Sequence, residues 1–136
     1  MVSAMSDAFE LAKTPVHLGL GASVEVLPPF DGSMEWYGRY GAAHGGDGAE
    51  GRLVAVHSFS SDWATWEMHP KGAELVYVIA GAMTLIQDIE GEHRELELRA
   101  GQAAINPPGV WHTARVRESA TALFITAGEG TQNEVR

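Results

Sequence analysis

The fold is decided by residues 66–81, WEMHPKGAELVYVIAG, where polar side chains come before an apolar run. Glu67 and His69 are two residues apart in an extended segment, so both side chains point to the same face of a strand. The turn-forming residues 70–72 follow, and Glu74 then begins the next strand. This order predicts a hairpin that brings Glu74 beside His69, with a polar site at the end of a buried strand.

A second stretch, GQAAINPPGVWHTARV at residues 101–116, has the same character. Its Pro-Pro-Gly segment at 107–109 is a stiff turn that cannot belong to a helix or a central strand. His112 follows three residues later, at the start of a strand whose other inward positions are Ala114 and Val116. The turn therefore fixes where the imidazole points, and we expect it to point into the same interior.

His69, Glu74 and His112 are thus predicted to meet, with Glu67 as a fourth member. Two imidazoles and one carboxylate form a ligand set that suits divalent iron, manganese or zinc. A divalent cation would also neutralise buried carboxylates, which are otherwise costly. Glu67 has three interpretations: a metal ligand, an acid or base beside the metal, or a carboxylate at an exposed barrel mouth. A metal-free site joined by hydrogen bonds and water is the alternative for all four residues.

Composition and spacing predict one all-β domain. The chain has 136 residues, 16 of them glycine, and about ten short strand candidates between turn residues. One of these candidates is the aromatic run MEWYGRY at 34–40. We divide the chain into an N-terminal extension (1–15), a barrel domain (16–127) and a polar C-terminal tail (128–136) that we expect to be loose.

Charge and composition exclude several classes of function. The net charge of −9 disfavours nucleic-acid binding and anionic membranes. No cysteine is present, which removes disulfides and zinc–thiolate sites. The first residues lack the basic and apolar regions of a signal peptide, and no apolar run is long enough to span a membrane, so we expect a cytoplasmic protein. The glycine-rich segment 41–51 lacks the Gly-Lys-Ser/Thr ending of a phosphate loop and is interpreted as a flexible surface loop.

Together, the two stretches resemble the two motifs of the cupin superfamily. The first reads Glu67-x-His69, four residues, Glu74, six residues, Gly81, and the second reads Gly101, five residues, Pro-x-Gly, two residues, His112. The resemblance implies a single cupin-like β-barrel (a double-stranded β-helix or jelly roll) with His69, Glu74 and His112 as metal ligands. The chain departs from the motifs in three places. Glu67 replaces the first histidine, Val116 replaces the closing asparagine, and Ser61 replaces the opening glycine.

The resemblance implies a metal-binding protein that acts on a small organic molecule by dioxygenase, isomerase or lyase chemistry, with Glu67 moving a proton. The alternative is a non-catalytic module that binds or senses a small molecule or a metal. Val76 and Val78 share the face of Glu74, so the predicted cavity is apolar and suits a mostly apolar ligand with one chelating group.

Two further expectations concern residues outside the four site positions. His57 lies in an apolar strand and could line the same cavity, although a lone histidine on a strand is more often a satisfied core or interface residue. His17, His44 and His93 receive no role. Trp66 and Trp111 each neighbour an inward-facing position and should face outward, where large aromatic side chains need cover. Because cupins commonly pair through a sheet face or through N-terminal strands, the resemblance implies a homodimer to which residues 16–40 contribute.

Overall fold

The computed structural model describes residues 7–136, and in this part of the chain it has ten strands and one α-helix. All the strand pairs are antiparallel, and the predicted all-β cupin-like barrel is confirmed. The first six residues of the N-terminal extension lie outside the described range. The elements are β1 (Val16–Leu18), β2 (Val24–Val26), α1 (Met34–His44), β3 (Arg52–Phe59), β4 (Thr65–Met68), β5 (Glu74–Ile89), β6 (Glu92–Arg99), β7 (Ala103–Asn106), β8 (His112–Arg115), β9 (Ala120–Thr126) and β10 (Gln132–Val135).

The long strand β5 belongs to both sheets of the barrel. Its first half pairs with β7 and β9 in the sheet β7-β5-β9-β3-β1-β2, and its second half pairs with β6 and β8 in the sheet β6-β5-β8-β4-β10. The change of sheet occurs at Gly81, whose φ is +74°. A Cβ atom there would lie 2.2 Å from the carbonyl oxygen of Ser119, so only glycine fits. The two apolar runs on either side of Gly81 therefore form one continuous bent strand.

The core fills the barrel directly beyond the polar strand ends. Val76 and Val78 are fully buried on the face that Glu74 shares, and Ala114 and Val116 are buried on the face of His112. They belong to the packed core and do not line the cavity, so the expectation of a cavity lined by Val76 and Val78 is wrong. The cluster consists of Val76, Val78, Met83, Leu85, Leu98, Ala114, Val116, Ala120, Ala122 and Phe124. This packed interior leaves space for a site only at the end of the barrel where the polar residues lie.

Residues 34–40 are helical, so their assignment as a strand is wrong. They form most of α1, which begins after Ser33, whose hydroxyl accepts a hydrogen bond from the Trp36 amide at 3.1 Å. Trp36 is buried and stacks on Tyr40, four residues later, with ring centroids 5.8 Å apart. Aromatic side chains favour strands on average, but here their spacing of four residues buries them along one side of a helix.

The glycine-rich segment 41–51 is also more ordered than a flexible surface loop. It contains the end of α1 and a 3₁₀ turn over Gly45–Glu50, and Asp47 within it bonds to the buried His17. Glycines had suggested flexibility, whereas one of them is required for close packing. A Cβ at Gly51 would lie 2.9 Å from the His17 ring. Among the described residues, no helix is long and apolar enough to span a membrane.

The C-terminal tail is not loose, because residues 132–135 form β10 along the edge of β4. In this pairing Asn133 lies opposite Glu67. The side chains of β10 are all exposed, so backbone pairing with an open strand edge, and not burial, orders the segment. Arg136 adds hydrogen bonds from its guanidinium to the carbonyl oxygens of Trp63 and Ala114.

Candidate metal site

The four residues predicted to form the site lie together at one end of the barrel. Glu67 of β4 lies opposite His112 of β8, and one ligand atom from each of Glu67, His69 and His112 lies within 4.8 Å of the other two. Glu74 begins β5, and its Oε2 and Oε1 atoms lie 3.3 Å from Nε2 of His69 and from Nε2 of His112, respectively. The structure therefore brings together residues that come from three strands and one turn.

The hydrogen bonds of the two histidines determine which ring nitrogen faces the site. The Thr131 hydroxyl donates to the Gly128 carbonyl, so it accepts from Nδ1–H of His69 at 2.8 Å. Nδ1 of His112 lies 3.3 Å from the carbonyl oxygen of Val110, which can only accept. In both neutral rings the proton is thus on Nδ1, and the lone pair of Nε2 points toward the carboxylates.

The site fits a divalent cation. Both Nε2 atoms are buried and lack a hydrogen-bond partner in the described part of the chain, since the contacts with Glu74 fall outside hydrogen-bonding geometry. Buried polar atoms are rarely left unpaired, and two lone pairs that face carboxylate oxygens repel them unless a proton or a metal ion lies between. Imidazole nitrogens that are oriented through Nδ1 by a hydroxyl or a carbonyl are a common arrangement of metal ligands.

A buried hydrogen-bond network fixes the Glu74 carboxylate. Asn106 donates from Nδ2 to Oε1 at 3.0 Å, and Thr126 donates from its hydroxyl to Oε2 at 2.6 Å. Gln87 in turn donates to Oδ1 of Asn106 at 2.9 Å. The sequence analysis missed Asn106, Thr126 and Gln87. Asn106 directly precedes the Pro-Pro-Gly turn, and this position was the one signal that could have drawn attention to it.

The electrostatics of the site separate the two carboxylates. Burial would raise the pKa of Glu74, but its contacts with the imidazoles of His112 and His69 outweigh this and hold the pKa well below the usual range. Burial by itself would lower the pKa of His69. The contact with Glu74 and the negative charges of Glu74 and Glu67 outweigh burial, so the pKa of His69 is raised. Burial and the charge of Glu74 raise the pKa of Glu67. Glu74 is therefore the permanently ionised member, and Glu67 the one that takes up a proton most readily.

The site opens into a cavity of about 1140 Å³ between the barrel and α1. Glu67, His69 and Glu74 line one part of it, and His57 lines another, so of the two interpretations of His57 the structure supports the position in the cavity. No lysine or arginine is found among the described residues that line it. A cavity without a cation of its own favours a ligand that carries little negative charge beyond one metal-binding group.

Two of the remaining sequence expectations concern aromatic side chains and surface histidines. Trp66 is only partly exposed and lies against His93 of β6, with ring centroids 5.1 Å apart. Trp111 is also partly buried. Other residues of the same chain therefore shield part of the Trp66 and Trp111 side chains from solvent. His17 and His44, to which no role was given, form a separate, partly buried cluster with Tyr40 and Asp47.

Solved structures with a similar fold include two proteins that are described with a metal. A recombinant oxalate oxidase in complex with glycolate is 16% identical, with a TM-score of 0.52 over 60% of this chain and 45% of that one. Oxalate decarboxylase from Bacillus subtilis, described with Mn(II) centers, is 18% identical, with a TM-score of 0.51 over 62% and 23%. Fe(II)-HppE is 18% identical, with a TM-score of 0.50 over 57% and 43%. The chain spans less than half the length of each, and these likenesses concern the fold alone.

The sequence itself was also compared with family models and with curated proteins. None of the curated proteins matches the chain. The model of the cupin domain family matches residues 60–128, which is about half of the chain and contains all four predicted site residues. The chain therefore belongs to the cupin domain family.

Proposed function

We propose that the protein is a metal-dependent cupin that acts on a small, mostly apolar molecule, with Glu67, His69, Glu74 and His112 as the metal-binding residues. One observation carries the proposal. The buried Nε2 atoms of His69 and His112 have no hydrogen-bond partner in the described chain and face two carboxylates. Because the two glutamates balance the charge of a divalent ion, the bound site would be neutral overall.

The donor set suits iron, manganese or zinc, since imidazole and carboxylate ligands are common to all three. Mn(II) and Fe(II) are named for two of the proteins with a similar fold. A carboxylate in place of the usual first histidine adds negative charge to the ligand set, which lowers the affinity for anionic substrates and raises the pKa of a bound water.

Glu67 is the proposed proton-transferring residue. When bound, the ion would supply Lewis acidity toward an oxygen of the substrate. Glu67 lies beside that position, with Oε1 3.8 Å from Nε2 of His69, and its side chain keeps 32% of its surface exposed toward the cavity. Its partly exposed carboxylate can exchange a proton with a ligand in the cavity, as general acid–base work requires. Isomerase and lyase reactions that transfer a proton need such a group.

Elemental analysis of the purified protein tests the proposal. We expect about one equivalent of metal per chain in the wild type and none in the His69→Ala/His112→Ala variant. A His44→Ala/His93→Ala variant, which removes two histidines outside the site, serves as the matched control and should keep the metal. Iron would favour oxygen-dependent chemistry, and zinc or manganese would favour isomerising, hydrolytic or binding roles. No metal in the wild type, even after reloading with divalent ions, would refute the proposal.

A Glu67→Gln variant separates an enzyme from a non-catalytic binding or sensing module. An enzyme loses rate in this variant while it keeps its affinity for the ligand. A binding module shows a change of affinity alone. The comparison requires metal content equal to that of the wild type, which elemental analysis of the same sample provides.

We also propose a homodimer. The outer face of the first sheet carries four exposed apolar side chains that form one patch, because Leu75 lies opposite Ile105 on β7 and precedes Tyr77 and Ile79 on β5. Val24 and Val26 on β2, at the opposite edge of the same sheet, are also exposed and lie within the segment 16–40. Sedimentation analysis should give a dimer for the wild type and a monomer for Tyr77→Lys/Ile105→Lys. A wild-type monomer at micromolar concentration would contradict the dimer.

A further inference from the structure

An unbroken series of aromatic rings lines the cavity from the metal-binding end to His57. The Trp63 ring lies 6.3 Å from His112 and 6.0 Å from Phe124, measured between ring centroids. Phe124 lies 5.8 Å from His57, and Phe30 lies 5.4 Å from the other side of His57. A ligand that leaves the metal and extends into the cavity therefore meets ring faces and edges along its path.

The helix α1 supplies the facing wall. Tyr37 of α1 lines the same cavity and lies 5.4 Å from Phe30 between centroids. Burial and the charge of Glu67 raise the pKa of Tyr37, so its ring stays neutral at any ordinary pH. Aromatic side chains thus line the cavity on the side of the barrel and on the side of the helix. This arrangement favours a planar ligand, which can make offset and edge-to-face contacts with the rings.

His57 is the polar exception in this wall. Its neighbours are Phe30, Phe59 and Phe124, and among the described residues no hydrogen bond engages either ring nitrogen. Burial lowers its pKa, against a smaller opposing effect of Glu74, which keeps the imidazole neutral with one donor and one acceptor. A half-buried imidazole that lines an aromatic cavity without a partner is available to a ligand.

We propose that the substrate is a molecule with an aromatic ring, which binds the metal through a chelating group at one end and is held by His57 through a hydroxyl or carbonyl group at the other. This inference rests on the proposed metal site. His57 acts as a positioning and specificity-determining residue. The described lining has no lysine or arginine, which disfavours a second carboxylate at the far end because no permanent cation lies there to balance its charge.

Hydroxamic acids test the ring, because they chelate divalent metals through the same group whatever ring they carry. Benzohydroxamic acid and cyclohexanecarbohydroxamic acid are titrated calorimetrically into Mn(II)-loaded protein, with acetohydroxamic acid as the ring-free reference. Aromatic contacts predict that the benzene compound binds about 3- to 10-fold more tightly than the cyclohexane compound. Equal affinities, or tighter binding of the saturated ring, would overturn the aromatic subsite.

A second pair of probes tests His57. 4-Hydroxybenzohydroxamic acid should bind about 3- to 10-fold more tightly than 4-methylbenzohydroxamic acid, which has the same size but no polar group. In His57→Phe this preference should vanish while benzohydroxamic acid keeps its affinity. His57→Gln, which keeps a donor and an acceptor, should retain part of the preference and provides the test if His57→Phe is unstable. A preference that persists in His57→Phe, or that is lost in both variants together with benzohydroxamic acid binding, would overturn the role of His57.

The two proposals fail in different ways. Failure to take up Mn(II), Fe(II) or Zn(II) refutes the metal site and the inference with it. Metal uptake without binding of acetohydroxamic acid leaves the metal site intact and refutes a substrate that chelates the metal. Metal uptake and binding of acetohydroxamic acid without either preference refutes the aromatic subsite alone and leaves the metal site intact.

Discussion

The chain has two buried histidine clusters with opposite hydrogen-bonding patterns. In the cluster around His17, Nε2 donates to the Asp47 carboxylate at 2.7 Å, and Nδ1 accepts from the Tyr40 hydroxyl at 2.7 Å. In the cluster around His69 and His112, each ring uses only Nδ1, and each Nε2 lacks a hydrogen-bond partner. A histidine whose two ring nitrogens both have hydrogen-bond partners is structural. Histidines whose unpaired nitrogens point toward a common position indicate a ligand site.

The His17 cluster joins the helical region to the barrel. His17 belongs to β1, Tyr40 to α1 and Asp47 to the 3₁₀ turn, so one imidazole connects three segments. Burial and the charge of Asp47 raise the pKa of Tyr40 to about 12, which keeps its hydroxyl available as a donor. The His44 ring stacks on His17 with centroids 4.2 Å apart. These contacts hold α1, and with it one wall of the cavity.

The largest expected effect is a loss of stability, without loss of metal, when His17 is replaced. His17→Ala should lower the free energy of unfolding by about 2–4 kcal/mol, because two buried hydrogen bonds are lost and their partners remain. Its metal content should stay at that of the wild type. Urea unfolding and elemental analysis of one preparation check both points. If His17→Ala loses its metal while it remains folded, the division between a structural and a ligand cluster is wrong.

The second prediction compares how much a bound metal stabilises the wild type and the variants of the two clusters. A divalent ion at about 100 times its Kd should add about 2.7 kcal/mol to the free energy of unfolding of the wild type. His17→Ala should gain the same increment, and His69→Ala/His112→Ala should gain none. Thermal unfolding with and without metal, after treatment with a chelator, measures the increments. A similar gain in all three proteins would mean that the metal binds elsewhere.

These clusters also show what could be predicted from the sequence. Glu67, His69, Glu74 and His112 were found because they lie at strand ends beside rigid turns, and strand alternation then determines the face on which each lies. Local chemistry was sufficient for them. The partners that position them, Thr131, Thr126 and Asn106, are polar residues in segments without a distinctive pattern, and they depend on which strands become neighbours.

The errors have a common physical origin. Residues 34–40 were assigned to a strand and residues 128–136 to a loose tail because their composition favoured these states. In the structure, packing of Trp36 and Tyr40 and the open edge of β4 outweigh those local preferences. The His17 cluster was missed for the same reason, since 30 residues separate His17 from Asp47.

Thr131 offers a finer test of the proposed metal site. Thr131→Val removes the acceptor that holds Nδ1–H of His69 and therefore loosens the orientation of Nε2. Loss of such a supporting group should weaken metal binding about 10- to 100-fold. Thr121→Val is the matched control, because its hydroxyl bonds to Ser58 on the exposed side of the sheet. Competition with a chromophoric chelator measures both affinities, and equal values for the two variants would refute the role of Thr131.

The stability of the metal-free protein and its affinity for metal should depend on pH through the residues of the proposed metal site. The raised pKa of His69 means that its contribution to the stability of the metal-free protein is complete below the ordinary value of 6.5 and is lost as the pH rises through the folded value. The raised pKa of Glu67 acts in the same direction. We therefore expect the metal-free protein to lose stability from pH 6 to pH 8, whereas metal affinity increases because the ion no longer competes with the proton. Unfolding and metal titrations at several pH values check this. A stability of the metal-free protein that rises with pH, or a metal affinity that falls, would contradict it.

The smallest expected difference is between two tyrosines of α1. Tyr40→Phe leaves the buried Nδ1 of His17 without a donor and should lower the free energy of unfolding by about 1–2 kcal/mol. Tyr37→Phe removes a hydroxyl that has no hydrogen-bond partner in the described residues, and it should change stability by less than about 0.5 kcal/mol. Both variants keep the aromatic ring, so packing is equal in the two and only the hydrogen bond differs. Equal unfolding curves for Tyr40→Phe and Tyr37→Phe would mean that the Asp47–His17 pair alone holds the helical region, and that the Tyr40 hydroxyl contributes nothing to the structural cluster.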